Sequence, residues 1–519
     1  MHNKDQSELQ SFDSKLESLA LKKDYLSMIP LLENILKNYS DNFGYFFQLG
    51  ICHKNLSNNE LAVKFLIKSI NKEKSFLPSY NFLTDILIDE SSRHPTLAKK
   101  SIPYLLTALE LDNGNKEILY KLALMQLKTR AYNEAIENFL ILRSLEPNNV
   151  SYTYNLAQSY STIGKGADAI ALISEFIKEN QPYLNLYEQI GFAFNSMKKY
   201  KEAIVVYKKI LEDPGINSHP EIKMSSYHNI LESFRKENDE LSYDEYLNYT
   251  KEALSLYPNN FSIQKHSLAL NIYLKKEELC KNEIEFLNLS HPHDREIASL
   301  NLYLSSQYES IEISDFCPEP FKLIKKYNIK DFNSDSDKVM SSVIEYIENT
   351  EKIKNAPFKT DFGGERTVKN LFDVQENSFP RVFQDIQLIF KNYIKDISDE
   401  KPCLFLKDLS QDFTISAWSM TADKNTFHHS HNHCEAWISG VLYLDIPNGL
   451  NHEEGSIHFN KLGNQFPVLV DTDSKVFVPE RGDIILFPAH LYHLTKSHNK
   501  PGKRVCMPFN FVPNDNILK

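Results

Sequence analysis

The feature that most limits what this chain can fold into is a 34-residue period in its first part. Leu122-Ala123, Leu156-Ala157 and Ile190-Gly191 recur at that step, and Ala135-Ile136, Ala169-Ile170 and Ala203-Ile204 repeat it in a second register. Apolar residues at helical spacing within each period imply two amphipathic helices per repeat. The small residues carry the physical constraint, because antiparallel helices approach closely only where no large side chain stands between them. Upstream, Leu49-Gly50 and Leu83-Thr84 keep the step, while Leu83 to Leu122 spans 39 positions and five extra residues near Ser91 to Pro95 absorb the difference. LEPNN (Leu145 to Asn149) and LYPNN (Leu256 to Asn260) close one repeat and open the next, since proline and asparagine break a helix and turn the chain. The period blurs from Pro214 to Tyr246, and a last helix pair lies near Ala253 to Leu287.

This pattern resembles the tetratricopeptide repeat family over roughly the first 290 residues. The resemblance implies an all-α solenoid, placed here at residues 1–300, whose concave face binds a protein or peptide. Nucleic acid is excluded as the main partner: the net charge is −11, the pI is near 5.9, and no basic block or stripe occurs. The start, MHNKDQSELQ, is polar and no run of about 18 apolar residues occurs, so neither a signal peptide nor a membrane span is expected. Six scattered cysteines without paired spacing read as reduced and mostly buried, which fits a cytoplasmic protein. Oligomeric state leaves no mark on the sequence.

From about Asp315 the helical period gives way to mixed structure. Residues 301–400 are expected to form a linker and helices, SSVIEYIENT and Asn370 to Ile397, around a polar loop with Gly363-Gly364. Residues 401–519 then read as strands: FTISAWSM, AWISGVLYL, GSIHF, KVFV, GDIILF and RVCMPFNFV. Short strands separated by Gly, Pro and Asn turns point to an antiparallel sandwich or barrel.

Four histidines, His428, His429, His431 and His433, crowd six positions just before the AWISGVLYL run, with Glu435 following. Imidazole and carboxylate on one short segment suit iron, zinc, copper or nickel. His490 and His493 lie beyond the Asp483 to Phe487 strand, and a separation of three positions puts the two on opposite faces if the strand persists. Along RVCMPFNF, Val505, Met507 and Phe509 share one face, and Arg504, Cys506 and Asn510 the other. An arginine turned into a barrel must meet an anion, because an unpaired buried charge is too costly, and a carboxylate suits its bidentate fork.

These residues resemble the iron(II)- and 2-oxoglutarate-dependent oxygenases of the double-stranded β-helix fold. The closest likeness is a 2OG-Fe(II) oxygenase family showing histidine, one residue, histidine, then a tryptophan-containing SGVYY strand. Here those positions are His431-Asn432-His433 and Trp437 to Tyr443, and the later segments match Phe487-Pro488, Tyr492 to Thr495 and Arg504 to Cys506. GGERTVKNLF, Gly363 to Phe372, is similar to a further family segment. The likeness extends from Asp315 to Pro513, and tetratricopeptide repeats often precede this domain in the family.

The resemblance implies an α+β domain built on a double-stranded β-helix (jelly-roll) barrel, with Fe(II), 2-oxoglutarate and O2 as cofactor and cosubstrates. It implies His493 as the distal metal ligand and Arg504 as the partner of the cosubstrate's C5 carboxylate, with Tyr443 directed at the same carboxylate. Cys506 stands where relatives carry a serine that helps hold it, a role Asn510 shares if the thiol donates weakly. For the first two ligands, His431 and His433 follow the closer family, and His433 with Glu435 would restore the superfamily's histidine–carboxylate pair. His428 and His429 read as loop or surrounding residues, and His458 as packing. The activity so implied is hydroxylation of a protein or peptide held by the repeats. A small-metabolite oxygenase and a non-catalytic scaffold with a degenerate metal- or ligand-sensing barrel are the alternatives.

Overall fold

A computed structural model describes residues 2–513 except positions 38, 93–94, 182, 238, 240–241, 351, 355–360, 363, 368–369, 375–377, 410–412, 452 and 464–465. The chain divides into two compact units, Met1–Tyr152 and Thr153–Lys519. The first is built of helical hairpins running from His2–Leu21 to Tyr132–Leu145. Part of the expected insertion near Ser91 to Pro95 lies outside the described residues.

The 34-residue period reappears in the backbone. Helices Lys116–Lys128, Val150–Thr162 and Leu184–Ser196 start at that step, as do their partners Tyr132–Leu145, Gly166–Glu179 and Tyr200–Leu211. Between the members of each pair the chain reverses through one left-handed residue, Arg130 (φ 66°), Gly164 (φ 86°) or Lys198 (φ 59°). At Lys198 the following amide of Lys199 reaches back to the Phe194 carbonyl at 2.9 Å, so the last carbonyls of the first helix are satisfied within the turn. Gly191 faces Tyr207 across its hairpin, and Tyr207 is fully buried. A Cβ at Gly191 would stand 2.5 Å from the Tyr207 ring.

The second unit carries these repeats through to helix Arg295–Gln307 and then changes character. Its strands are β1 (Lys325–Asn328), β2 (Lys352–Lys354), β3 (Asp361–Phe362), β4 (Glu365–Thr367), β5 (Phe413–Ala417), β6 (Met420–Ala422) and β7 (Phe427–His431). They continue with β8 (Ile438–Asp445), β9 (Ile457–Asn460), β10 (Lys475–Phe477), β11 (Asp483–Pro488), β12 (Tyr492–Thr495) and β13 (Arg504–Pro513). One antiparallel sheet has the order β1-β11-β8-β13-β6-β4-β2, with β5 also on β13, and the other is β10-β9-β12-β7-β3.

Alternation along β13 separates two cores, because successive side chains leave opposite faces of a strand. Val505, Met507, Phe509 and Phe511 pack outward on helices Ser336–Asn349 and Phe379–Ser398, where the Phe511 and Phe390 rings stack with centroids 4.0 Å apart. Cys506 points the other way and joins Tyr443, Met420 and Phe487 of its own sheet with Ile457 and Phe459 of the facing sheet. That second cluster is the interior of the barrel.

All six strand runs read from the sequence are present, and the sheets also recruit β1 to β4 from upstream of residue 401. These are two to four residues long and largely polar, so their own residues carry little strand pattern. Of the GGERTVKNLF segment, Glu365 to Thr367 form β4 beside β6, whereas Gly363, Val368 and Lys369 lie outside the described residues. No helix among the described residues is long and apolar enough to cross a membrane.

The Gly191 contact can be tested directly. Gly191→Ala should destabilise the second unit by about 1–3 kcal/mol through overpacking against Tyr207, read as a lower urea midpoint by circular dichroism. An unchanged midpoint would mean that the hairpin has room to spread.

Candidate metal centre

Strands β7 and β12 pair so that His431 lies directly opposite His493. Their rings are 4.3 Å apart between centroids, and His433, two residues past the end of β7, brings its ring within 5.2 Å of His493. The candidate ligand atoms of His431, His433 and His493 all lie within 4.8 Å of one another, close enough to share one ion. His433 is fixed through its backbone: its amide donates to Ala489 O at 2.8 Å, and its carbonyl accepts from the amide of Ala436 at 2.8 Å.

The hydrogen bonds select the tautomers. His431 Nδ1 lies 2.7 Å from the His429 carbonyl, and His493 Nδ1 lies 3.3 Å from the Leu491 carbonyl. A carbonyl can only accept, so each Nδ1 carries the proton and each Nε2 keeps its lone pair for a metal. His493 is 5% exposed, and burial, followed by neighbouring His431 and His433, holds its pKa well below the usual histidine value. Neutral imidazoles are the form that ligates.

Glu435 does not join this group. β7 ends at His431 and the chain turns at Cys434 and Glu435, so the alternation that would have aligned residues 431, 433 and 435 stops short. The Glu435 side chain is 60% exposed, its carboxylate is 3.7 Å from His433 Nδ1, and it accepts a bond from Asn510 Nδ2 at 3.2 Å. Asn510 also accepts from Ser439 Oγ at 2.8 Å. Six positions along β13, about 20 Å of strand, separate it from Arg504, so the shared face does not bring Asn510 to the guanidinium.

Arg504 is 1% exposed. Its Nη1 donates to the carbonyls of Gly455 (3.1 Å) and Lys496 (3.4 Å), and its Nη2 donates to Thr495 Oγ1 at 3.3 Å. Its Nε–H has no hydrogen-bond partner, and no carboxylate among the described residues pairs with the guanidinium. Tyr443 and Cys506 face each other across β8 and β13 in the same interior. Burial, then Cys506, pushes the Tyr443 hydroxyl pKa far up, while Cys506 Sγ lies 3.7 Å from the Met420 carbonyl.

The remaining histidines separate cleanly. His490 stands away from the cluster, its ring against Phe316 (5.2 Å) and Phe405 (5.7 Å), where burial and then Arg295 push its pKa down to about 3. His429 is exposed, and His458 lies 2.9 Å from Ser456 Oγ. Of the pair read as loop or surrounding residues, His428 is the surrounding one: it is buried and touches Thr495 inside the barrel. A β-bulge that no residue type announces turns it to the face that carries His431. Sequence reasoning also passed over Arg366, which lies over the Trp418 ring at 5.0 Å, with that ring 5.8 Å from His433.

The last repeat helix braces the ligand-bearing turn. Arg295 Nε donates to Cys434 O at 2.7 Å, and its guanidinium lies 5.2 Å over the Trp437 ring. Ser299 Oγ donates to His490 O at 2.8 Å and accepts from Asn432 Nδ2 at 2.6 Å. Both turns that fix the histidines are therefore held by one helix.

Residues 416–510 match the family model described as “Putative 2OG-Fe(II) oxygenase”. No curated protein matches the chain. Among solved structures, similar ones include a tetratricopeptide repeat protein from Parabacteroides merdae (11% identity, 50% of this chain and 96% of that one, TM-score 0.41). The Pseudomonas aeruginosa pilF structure (19%, 43% and 96%, TM-score 0.30) and the MamA protein (19%, 34% and 95%, TM-score 0.30) are also similar. The C-terminal region is thus a pair of antiparallel sheets carrying an oxygenase-family match, and the helical region before it is a tetratricopeptide-like array.

Removing the brace should loosen the site. Arg295→Ala is expected to lower metal affinity roughly 10- to 100-fold, as loss of outer contacts to a ligand set does, measured by competition with a chromogenic chelator. Retention of full affinity would show that the turn holds His433 unaided.

Proposed function

We propose that this protein is an iron(II)- and 2-oxoglutarate-dependent oxygenase that hydroxylates a protein or peptide substrate held by its repeat region. The observation that carries the reading is the pairing, in one barrel interior, of three clustered histidines with a buried arginine that meets no carboxylate among the described residues. Such an arginine calls for an anionic ligand. Residues 401–519 form the proposed oxygenase core, with residues 301–400 as its linker and helical N-terminal part and residues 1–300 as the solenoid. Six free cysteines among the described residues accord with a reducing, cytoplasmic setting.

His431, His433 and His493 would hold iron(II) through Nε2. Bound there, the metal supplies oxidising chemistry in which 2-oxoglutarate and O2 give succinate and CO2 while a substrate C–H bond becomes C–OH. Arg504 would orient the cosubstrate by its distal carboxylate, with Tyr443 and Cys506 alongside. Phe459 and Phe487, whose rings lie 6.0 and 4.8 Å from that of His493, exclude water from one side of the centre. The contacts of helix Arg295–Gln307 with the ligand turn support a peptide substrate, since a chain bound along the last repeat would end beside the metal.

The test is anaerobic loading with iron(II) and 2-oxoglutarate, then oxygen, with succinate measured. Wild type should form succinate in an iron-dependent manner. His431→Ala and His493→Ala should lose iron and at least 100-fold in succinate formation, a loss of more than about 2.7 kcal/mol in barrier terms, while Glu435→Ala keeps its iron. Absence of both 2-oxoglutarate binding and succinate would overturn the enzyme reading in favour of a non-catalytic scaffold. Loss of iron in Glu435→Ala would return that carboxylate to the ligand set.

A further inference from the structure

We propose that His428 is a second donor to the distal carboxylate of the cosubstrate, beside Arg504, and that it makes the site selective for a dicarboxylic 2-oxoacid. The inference rests on the oxygenase reading above.

Strand geometry puts His428 on the right wall. On β12 the step from His493 to Thr495 is two residues, while the paired step on β7 from His431 to His428 is three. The extra residue is a bulge, and it returns His428 to the face that carries His431. His429 is left exposed outside, and Ser430 is drawn away by a 2.6 Å bond to the Leu462 carbonyl. The His428 ring lies 6.1 Å from the His431 ring and is 8% exposed.

Thr495 ties His428 to Arg504 and sets its tautomer. Thr495 Oγ1 accepts from Arg504 Nη2 at 3.3 Å and from the backbone amide of His428 at 3.1 Å. Both lone pairs of the hydroxyl are then occupied. Its own hydrogen is left for His428 Nδ1, 3.2 Å away. Nδ1 is therefore the acceptor, and the proton of the neutral ring sits on Nε2. With its proton there, Nε2 is a hydrogen-bond donor and not a fourth metal ligand.

Position completes the case. The His428 ring is 6.1 Å from that of His431 and shares the Thr495 hydroxyl with Arg504, so it neighbours both the histidine group and the arginine. A 2-oxoacid held by the histidine group's metal at one end and by Arg504 at the other would come within reach of His428. Three of the guanidinium's hydrogen bonds go to Gly455, Lys496 and Thr495 within the protein. A neutral N–H from His428 adds a donor without adding charge. A monocarboxylic 2-oxoacid such as pyruvate, which lacks the distal carboxylate, gains nothing from it.

The experiment titrates anaerobic iron(II)-loaded protein with 2-oxoglutarate and, separately, with pyruvate, following the visible charge-transfer band for affinity, with chelator competition reporting metal affinity. His428→Ala should weaken 2-oxoglutarate binding at least tenfold, the scale of one hydrogen bond to a charged group, with pyruvate and metal affinities held within twofold. His428→Gln, whose amide N–H can stand in for Nε2–H, should recover most of the loss, and Thr495→Val should lower 2-oxoglutarate affinity where Thr495→Ser does not. Equal loss of both 2-oxoacids in His428→Ala, or wild-type affinity for 2-oxoglutarate in that variant while Arg504→Met loses it, overturns this inference alone. Wild type that binds iron but neither 2-oxoacid overturns the oxygenase reading and this inference with it.

Discussion

The pairing of β7 with β12 is the constraint on which the candidate centre depends. It sets His431 against His493 as cross-strand neighbours, where side chains on the same face of an antiparallel pair approach most closely. A ladder in perfect register would deliver only one residue in two from β7 to the interior. The bulge between the two paired positions changes that count, so that His428 and His431, three apart in sequence, serve one wall. A local irregularity thus determines which residues the barrel can offer to a ligand. His433 needs no strand at all: its backbone bonds to Ala489 and Ala436 hold it where the ladder has ended.

The second constraint is electrostatic. Imidazole side chains bring no negative charge to offset a divalent ion, and Arg504 brings a further positive charge into the same interior. A buried cation without a partner costs several kcal/mol even after relaxation. The carbonyls of Gly455 and Lys496 and the Thr495 hydroxyl satisfy part of the guanidinium with dipoles, and a dianionic 2-oxoacid would neutralise the rest together with the metal. Glu435, 3.7 Å from His433 Nδ1, is 60% exposed and accepts from Asn510, so among the described residues no carboxylate joins the histidine group. A dianion and a divalent ion bound in this interior would therefore support each other's binding, since opposite charges offset one another there.

Periodicity was legible wherever one period dominated. The 34-residue step with its small residues at Ala157, Ala169, Gly191 and Ala203 reads directly from the sequence, because close helix packing forbids anything larger there. Strands β8, β11 and β13 were legible too, for burial on both faces leaves long apolar runs. β7 and β12 were not, although they carry the site. Their four or five residues spend their side chains on histidine, serine and threonine, so alternation of apolar and polar residues cannot reveal them. The same limit hid the face of His428, whose orientation follows from register against a strand 60-odd residues away and from nothing local. Glu435 was ambiguous for a related reason: parity arguments hold only while the strand lasts, and it ends at His431.

Hydrogen bonds tie the last repeat helix to the turns that carry the clustered histidines. Helix Arg295–Gln307 offers Arg295 to the Cys434 carbonyl and Ser299 to both Asn432 and His490, so its position is shared with the two turns flanking the histidines. Farther along, Tyr303 donates to Pro467 O at 2.6 Å and Gln307 donates to Val470 O at 2.9 Å, which extends the contact over the helix's full length. A helix held at so many points moves as a body or not at all, because packed interfaces shift between discrete arrangements more readily than they deform. Any displacement of the last repeat would therefore be transmitted to His433 through Arg295 and Cys434. The polar character of the contact is what makes this coupling specific: a purely apolar interface could slide by a fraction of a turn, whereas partly buried carbonyls that lose their donors must be satisfied again elsewhere.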